Sequence, residues 1–191
     1  MKNIAIMASG AGSNAQKIIE YFSNREDISV QLIISNKKDA KVLTLASKAG
    51  ISTLVISKES FYHSTDLLLE LEKHQISFVV LAGFLWLIPL YLIQKYPERI
   101  VNIHPSLLPK YGGKGMYGHF VHEAVYEARE LYSGITIHYV NEKYDEGSVV
   151  FQEQCEISAS DQPSDIAKKV QFLEHTFYPV VIDQLVSSLA D

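Results

Sequence analysis

NIAIMASGAGSNAQKIIEYF, residues 3–22, is the stretch whose reading decides the fold. Residues 3–8 are almost wholly apolar and read as a buried strand, while Ala15, Ile18, Ile19 and Phe22 recur at helical spacing. Between them lies a glycine turn, Ser9-Gly10-Ala11-Gly12-Ser13-Asn14. Strand, glycine turn and helix together aim free backbone N–H groups at an anion. Gly10 and Gly12 permit close backbone approach, and Ser13 and Asn14 add side-chain donors. A dinucleotide fingerprint lacks its third glycine here, since Ala15 and Gln16 stand in its place. The second strand also ends in Ile33-Ile34-Ser35-Asn36, an amide where that fingerprint wants an acid. A nucleotide P-loop would need Gly-Lys-Ser/Thr, which is absent. A compact phosphomonoester site needs neither feature, and a tight turn without a ligand stays open beside it.

Outward from this unit, apolar strands at 29–35, 53–56 and 78–81 alternate with helical segments at 39–49 and 64–74. The first helix turns Ala40, Leu43 and Ala46 inward and stops at Gly50. The second carries Leu67, Leu68 and Leu71, with Ser64 or Thr65 available as N-cap. Residues 78–81 are continuously apolar, as a central parallel strand buried on both faces must be. The alternation predicts an α/β fold: a doubly wound, mostly parallel open sheet with right-handed crossovers. Further on come a helix at 122–130 and strands at 134–140 and 149–157, then one or two helices over 164–189. A hairpin through 141–148 gives the sheet an antiparallel edge near the C-terminus. With no internal repeat, low-complexity tract or linker, residues 1–191 read as a single domain.

Ligands of such sheets gather at the carboxyl ends of the strands. The glycine turn falls there, and so does Val101-Asn102-Ile103-His104-Pro105-Ser106-Leu107-Leu108-Pro109. Side chains alternate faces along a strand, so Asn102 and His104 point the same way, just before a loop that two prolines stiffen. A satisfied histidine and a turn-forming asparagine are the plain alternative. Residues 82–92, AGFLWLIPLYL, read either as a core helix interrupted by Pro89 or as the wall of a pocket for a flat apolar ring. In the second case Gly83 lets backbone approach ligand. Four glycines among residues 110–118 predict a mobile loop beside the site, a candidate lid. Glu174 and His175 sit oddly in an otherwise apolar helical stretch.

Composition excludes several classes. Net charge is −5, with 17 basic and 22 acidic residues, which argues against a nucleic-acid surface. The longest apolar run, 78–92, is broken by Gly83 and Pro89 and falls short of the ~18 residues that cross a bilayer. The N-terminus runs straight into a strand, without the pattern of a signal peptide. One cysteine, Cys155, forms no internal disulfide, so we expect a cytoplasmic protein. His119, His122 and His138 read as surface or packing residues rather than ligands.

Six segments together resemble the folate-dependent glycinamide ribonucleotide formyltransferases: SGAGSN (9–14), SNKKDAKVLTLASKAGI (35–51), VVLAGFL (79–85), VNIHPSLLPKY (101–111), IHYVNEKYDEG (137–147) and LEHTFYP (173–179). The resemblance covers almost the whole chain and implies the Rossmann-like formyltransferase fold. It implies Asn102, His104 and Asp145 as the catalytic set, with a protonated His104 and the Asn102 amide at the developing oxyanion. It implies that Gly10, Gly12, Ser13, Asn14, Gly83, Pro105 and Glu174 bind the phosphoribosyl substrate, Glu174 through the ribose hydroxyls. Leu85, Trp86, Leu87, Ile88, Leu92, Ile100, Val140 and Asp145 would bind the folate. The implied co-substrate is 10-formyltetrahydrofolate, with no metal. The implied partners are two small molecules, formylfolate and the ribonucleotide, with no nucleic acid and no membrane, the chain acting as monomer or homodimer. A formyltetrahydrofolate hydrolase and a non-catalytic phosphoribosyl-binding module are the alternatives. Two departures from the family stand out: residues 112–117 are longer and richer in glycine than its usual loop, and residues 57–65 lack an arginine for the folate's glutamate tail.

Overall fold

The computed structural model describes residues 1–189. Seven strands form one sheet in the order β3-β2-β1-β4-β5-β6-β7. They are β1 (Lys2–Met7), β2 (Ile28–Ser35), β3 (Ser52–Val55), β4 (Ile76–Leu81), β5 (Ile100–His104), β6 (Tyr132–Tyr139) and β7 (Val149–Glu156). The first five run parallel; β6 pairs antiparallel with β5, and β7 with β6. This is the mostly parallel, doubly wound sheet with an antiparallel edge that the sequence predicts.

Alternation along β1 explains the two cores. Ile4 and Ile6 pack into one layer, while Ala5 and Met7 pack into the other. The first layer holds α1 (Ser13–Phe22), α2 (Lys41–Lys48), α6 (His119–Glu127) and α7 (Pro163–Ser187), through residues such as Ile18, Val42, Val125 and Val170. The second holds α3 (Lys58–His63), α4 (Asp66–Lys73) and α5 (Leu90–Lys95), through Phe61, Leu71 and Leu92. The long α7 also ties the layers to the sheet: the buried Tyr178 hydroxyl donates to the carbonyls of Leu81 (2.9 Å) and Val101 (3.3 Å), on β4 and β5.

The structure refines the sequence reading of the helices at three places. Residues 64–74 hold the expected helix, α4, with Thr65 at its N-cap. A separate short α3 precedes α4, started by a capping box in which the Ser57 hydroxyl accepts from the Ser60 N–H at 3.1 Å. Residues 82–89 are not helical, because α5 begins only after Pro89, whose fixed φ suits the position before a first turn. Residues 164–189 hold one 25-residue helix, α7, which carries Pro179 inside it.

Strand β1 lies between β2 and β4, so the chain's crossovers diverge from it, and a crevice opens at its carboxyl end. The segments after β1 and β4 are stitched together there. Ser9 N–H donates to the Gly83 carbonyl at 3.0 Å, and Leu85 N–H to the Ser9 hydroxyl at 3.2 Å.

Candidate active site at the carboxyl ends of the strands

A cavity of about 1010 Å³ occupies that crevice. The glycine turn, the segment after β4, the end of β5, the 113–118 loop, α6 and one face of α7 line it. Its two ends differ in chemistry.

At one end stands the start of α1. Gly12 is the N-cap residue, with φ of 80° and no side chain to cap the helix, so the first-turn N–H groups lack a side-chain cap. That position excludes a Cβ for a second reason, since one would lie 2.6 Å from Val42 Cγ2. Asn14 does not offer its side-chain donor to an anion as the sequence suggests. Its Nδ2 donates to Glu174 Oε2 at 3.0 Å, and its Oδ1 is buried without a partner. Glu174 reaches this point because α7 packs over α1. Burial pushes its carboxyl above the ordinary glutamate range, and the Asn14 amide works in the opposite sense.

At the other end, Asp145 is the hub. Its Oδ2 accepts from Gly113 N–H at 2.9 Å and lies 3.4 Å from His104 Nδ1. Its Oδ1 lies 3.5 Å from Asn102 Nδ2 and 3.6 Å from His138 Nε2. Asp145 itself has φ of 57°, in the left-handed region that Asp and Asn enter more readily than most residues. His104 Nε2 lies 2.7 Å from the Tyr111 carbonyl, an oxygen that only accepts, so Nε2 carries the proton and Nδ1 faces Asp145. His138 Nδ1 faces the Tyr139 carbonyl at 2.9 Å in the same way, which leaves Nε2 to accept from Asn102 Nδ2 at 3.1 Å.

Charges follow from this packing. Burial pushes the His104 ring below the ordinary imidazole value; Asp145 and the Tyr111 carbonyl oppose that, and His138 adds to it. Burial alone would raise the Asp145 carboxyl, but His138, the His104 charge and the Gly113 N–H outweigh it and hold the carboxyl below its usual range. In the ligand-free site the carboxylate is therefore ionised at neutral pH and the His104 ring favours its neutral form. That pair is able to take up one proton and pass it on.

With this geometry in hand, the comparisons fall into place. Residues 2–182 match the family described as formyl transferase. A phosphoribosylglycinamide formyltransferase of Bacillus subtilis is 34% identical over 191 residues, covering 97% of this chain and 95% of that one. The chain belongs to the formyl transferase family. A chloroplastic phosphoribosylglycinamide formyltransferase of Arabidopsis thaliana is 44% identical over 187 residues; the match covers 95% of this chain but 64% of the longer plant protein. The crystal structure of phosphoribosylglycinamide formyltransferase from Bacillus halodurans superposes with a TM-score of 0.86 at 35% identity, over 98% of this chain and 96% of that one.

In this member of the family, Asn102, His104 and Asp145 converge, and Gly10, Gly12, Ser13, Asn14, Gly83, Pro105 and Glu174 all line the cavity. Of the eight residues read as binding the folate, Leu85 and Asp145 line the cavity. Ile88, Leu92 and Ile100 are instead buried in the second core layer. Trp86 and Val140 pack against that layer, and the Leu87 carbonyl accepts from the Tyr62 hydroxyl at 3.1 Å. The cause is that the segment after Phe84 folds back under β4: Trp86 sits on Phe61, Tyr62 and Phe84, with ring centroids 5.6 to 6.1 Å apart. The glycine-rich loop does meet the site, with Gly113 on Asp145.

His138 is the residue that sequence reasoning missed, assigned there to packing or surface. It is buried and directly opposite Asn102 across the β5–β6 pair. The available signal was Thr136 and His138, two polar residues two apart that alternate with Ile135 and Ile137. Thr136 holds the adjoining loop: its hydroxyl donates to the Ser106 carbonyl at 2.7 Å and accepts from Leu108 N–H at 3.0 Å. Among the described residues no group of three or more His, Cys, Asp or Glu is placed to hold a metal ion, and no helix is long and apolar enough to cross a membrane.

Proposed function

We propose that this chain transfers the formyl group of 10-formyltetrahydrofolate to the primary amine of glycinamide ribonucleotide. The observation that carries the reading is one cavity with an Asn–His–Asp network at one end and an uncapped helix N-terminus beside a carboxylate at the other. The uncapped turn of α1 suits a phosphate, and Glu174 suits ribose hydroxyls. The names of the relatives support phosphoribosylglycinamide as the formyl acceptor.

In the proposed reaction the amine lone pair adds to the formyl carbon, and the carbonyl π electrons move to oxygen. The nitrogen thereby becomes acidic, and its proton passes to the neutral His104 beside ionised Asp145. The resulting imidazolium, held between the Tyr111 carbonyl and Asp145, sets a positive charge beside the oxyanion as it forms; electrostatic stabilisation of this kind is worth ~10²–10³ in rate. Return of the proton to the folate nitrogen lets the carbon–nitrogen bond break and the carbonyl re-form. His104 is thus a base before it is a cation, a refinement of the resemblance, which implies only the cation. Asn102 directs its amide protons to His138 and Asp145, which leaves its side-chain oxygen for the substrate, and we assign that oxygen to the N–H of the attacking amine. Leu85 is the apolar contact we retain for the folate ring, because it reaches the cavity. The half-buried thiol of Cys155 suits a reducing compartment, and we propose the cytoplasm.

The test is a spectrophotometric assay of 10-formyltetrahydrofolate with and without glycinamide ribonucleotide, on wild type and His104→Ala. Folate product that needs the ribonucleotide and is lost in the variant is the expected result. Product formed without ribonucleotide would make the chain a hydrolase. Binding of the ribonucleotide with no turnover would make it a binding module.

A further inference from the structure

Three imidazoles are buried around the catalytic end, and two of them are fully engaged. His104 has the Tyr111 carbonyl on one nitrogen and Asp145 beside the other; His138 has the Tyr139 carbonyl and Asn102. His122 is different. It sits on α6, is 8% exposed, and forms part of the cavity wall. No hydrogen bond from any described residue reaches its ring, and its Nδ1 is sealed from solvent without a partner. Nε2 is then the nitrogen with access to the cavity. The described residues supply neither ring nitrogen with a partner, and Nε2 is the one that a ligand in the cavity can reach.

We propose that His122 contacts the ribonucleotide, its open ring nitrogen hydrogen-bonding a neutral amide or hydroxyl of the arm between phosphate and amine. This rests on the transfer reading and deepens it. Position points to that part of the substrate: α6 packs against α7, which carries Glu174, while the ring lies close enough to His104 to feel its charge. A ligand reaching from Asn14 and Glu174 to His104 would pass along this wall. The charge state points to a neutral partner rather than a phosphate. Burial lowers the ring's proton affinity, and the charges of His104 and His119 lower it further. Its place in the first turns of α6 acts in the same sense, since a helix N-terminus disfavours a cation. Through Nε2 a neutral imidazole presents either a donor or an acceptor, according to its tautomer, and an amide or hydroxyl can answer either.

The experiment is calorimetric binding of glycinamide ribonucleotide, and separately of 10-formyltetrahydrofolate, to wild type, His122→Phe and His122→Gln. The phenylalanine keeps the ring and removes both nitrogens; the glutamine restores a hydrogen-bonding group. The expected result is a ribonucleotide Kd raised about 3- to 10-fold by phenylalanine, the size of one neutral hydrogen bond, with partial recovery in glutamine and an unchanged folate Kd. A ribonucleotide Kd within about twofold of wild type in the phenylalanine variant overturns the proposal, as does an equal loss for both ligands, which marks a packing role. Should the phenylalanine variant not fold, the ring nitrogens of His122 in ¹⁵N-labelled wild type decide: their resonances shift on adding ribonucleotide, or they stay and the proposal fails. A wild type that binds no ribonucleotide removes the transfer reading as well. A wild type that binds and transfers beside an unaffected variant removes only His122.

Discussion

The two ends of the cavity are built on opposite plans. Around Asp145 the ring nitrogens of His104 and His138, the Asn102 amide nitrogen and the Gly113 N–H have partners in the protein itself. Around Gly12 the helix start is uncapped, and Asn14 keeps one unpartnered oxygen. A reacting centre gains when its dipoles are fixed before the substrate arrives, because no reorganisation is then needed in the transition state. A binding end gains from donors and acceptors that only the ligand satisfies. The first end should therefore be sensitive in turnover and the second in affinity.

The largest effect expected is at Asp145. Asp145→Asn should lower kcat by about 10³ or more while circular dichroism and melting temperature stay close to wild type, because asparagine also accepts the left-handed backbone found there. Near-normal turnover would remove Asp145 from the chemistry and break the contrast. His104→Ala should cost ~10²–10³ in kcat with ribonucleotide affinity little changed, read by single-turnover kinetics beside calorimetry. An affinity loss as large as the rate loss would mean that the two ends are not separable.

At the binding end, Glu174→Ala should weaken the ribonucleotide about 10-fold, through the lost carboxylate and the released Asn14 amide, and leave kcat at saturation nearly intact. An unaltered binding constant rejects the ribose role. Gly12→Ala should lower stability by about 1–2 kcal/mol, since alanine is strained at φ of 80° and its methyl meets Val42. Val42→Ala in the same chain should return part of that in a denaturant titration, and no recovery would assign the whole cost to backbone strain.

The smallest effect expected is in the pH profile. Burial lowers the His104 ionisation, so the neutral, base-competent ring persists at neutral pH and is lost as pH falls. The substrate amine already gives kcat/KM an acid limb of slope about one, so the limb should steepen to about two below the ordinary imidazole value. His104→Ala should abolish the steepening. Its persistence there would assign it to another group, and its absence in wild type would exclude the neutral ring as base.

The legibility of the sequence divides along the same line. The β1–turn–α1 unit and the pair Asn102 and His104 could be read because they depend on neighbours in the chain: a glycine at a helix start, and two side chains on one face of a strand. His138 could not be placed, because its role comes from lying opposite Asn102 across two strands some thirty residues apart, a register that local pattern does not specify. The apolar stretch from Leu85 to Leu92 was ambiguous for a different reason. Core and ligand wall want the same side chains, and only the return of the chain under β4 decides which residues serve the core. At Asn14 the sequence suggests a free side-chain donor, and the structure gives that donor to Glu174, 160 residues away, a partner that local pattern does not reveal. The six-residue α3 offers too few turns for a periodicity to register.

The left-handed backbone at Asp145 narrows the alphabet available to the hub of the network. Glycine would enter that conformation freely but brings no charge; glutamate brings the charge but is a longer acid on a backbone that favours a short polar side chain able to bond locally. Asparagine keeps the shape and loses the ionisation. Conformation and chemistry overlap in a single residue type, so drift at this position has no neutral neighbour to step through, and a redesigned reaction in this scaffold would have to rebuild the 141–148 turn before it could change the acid.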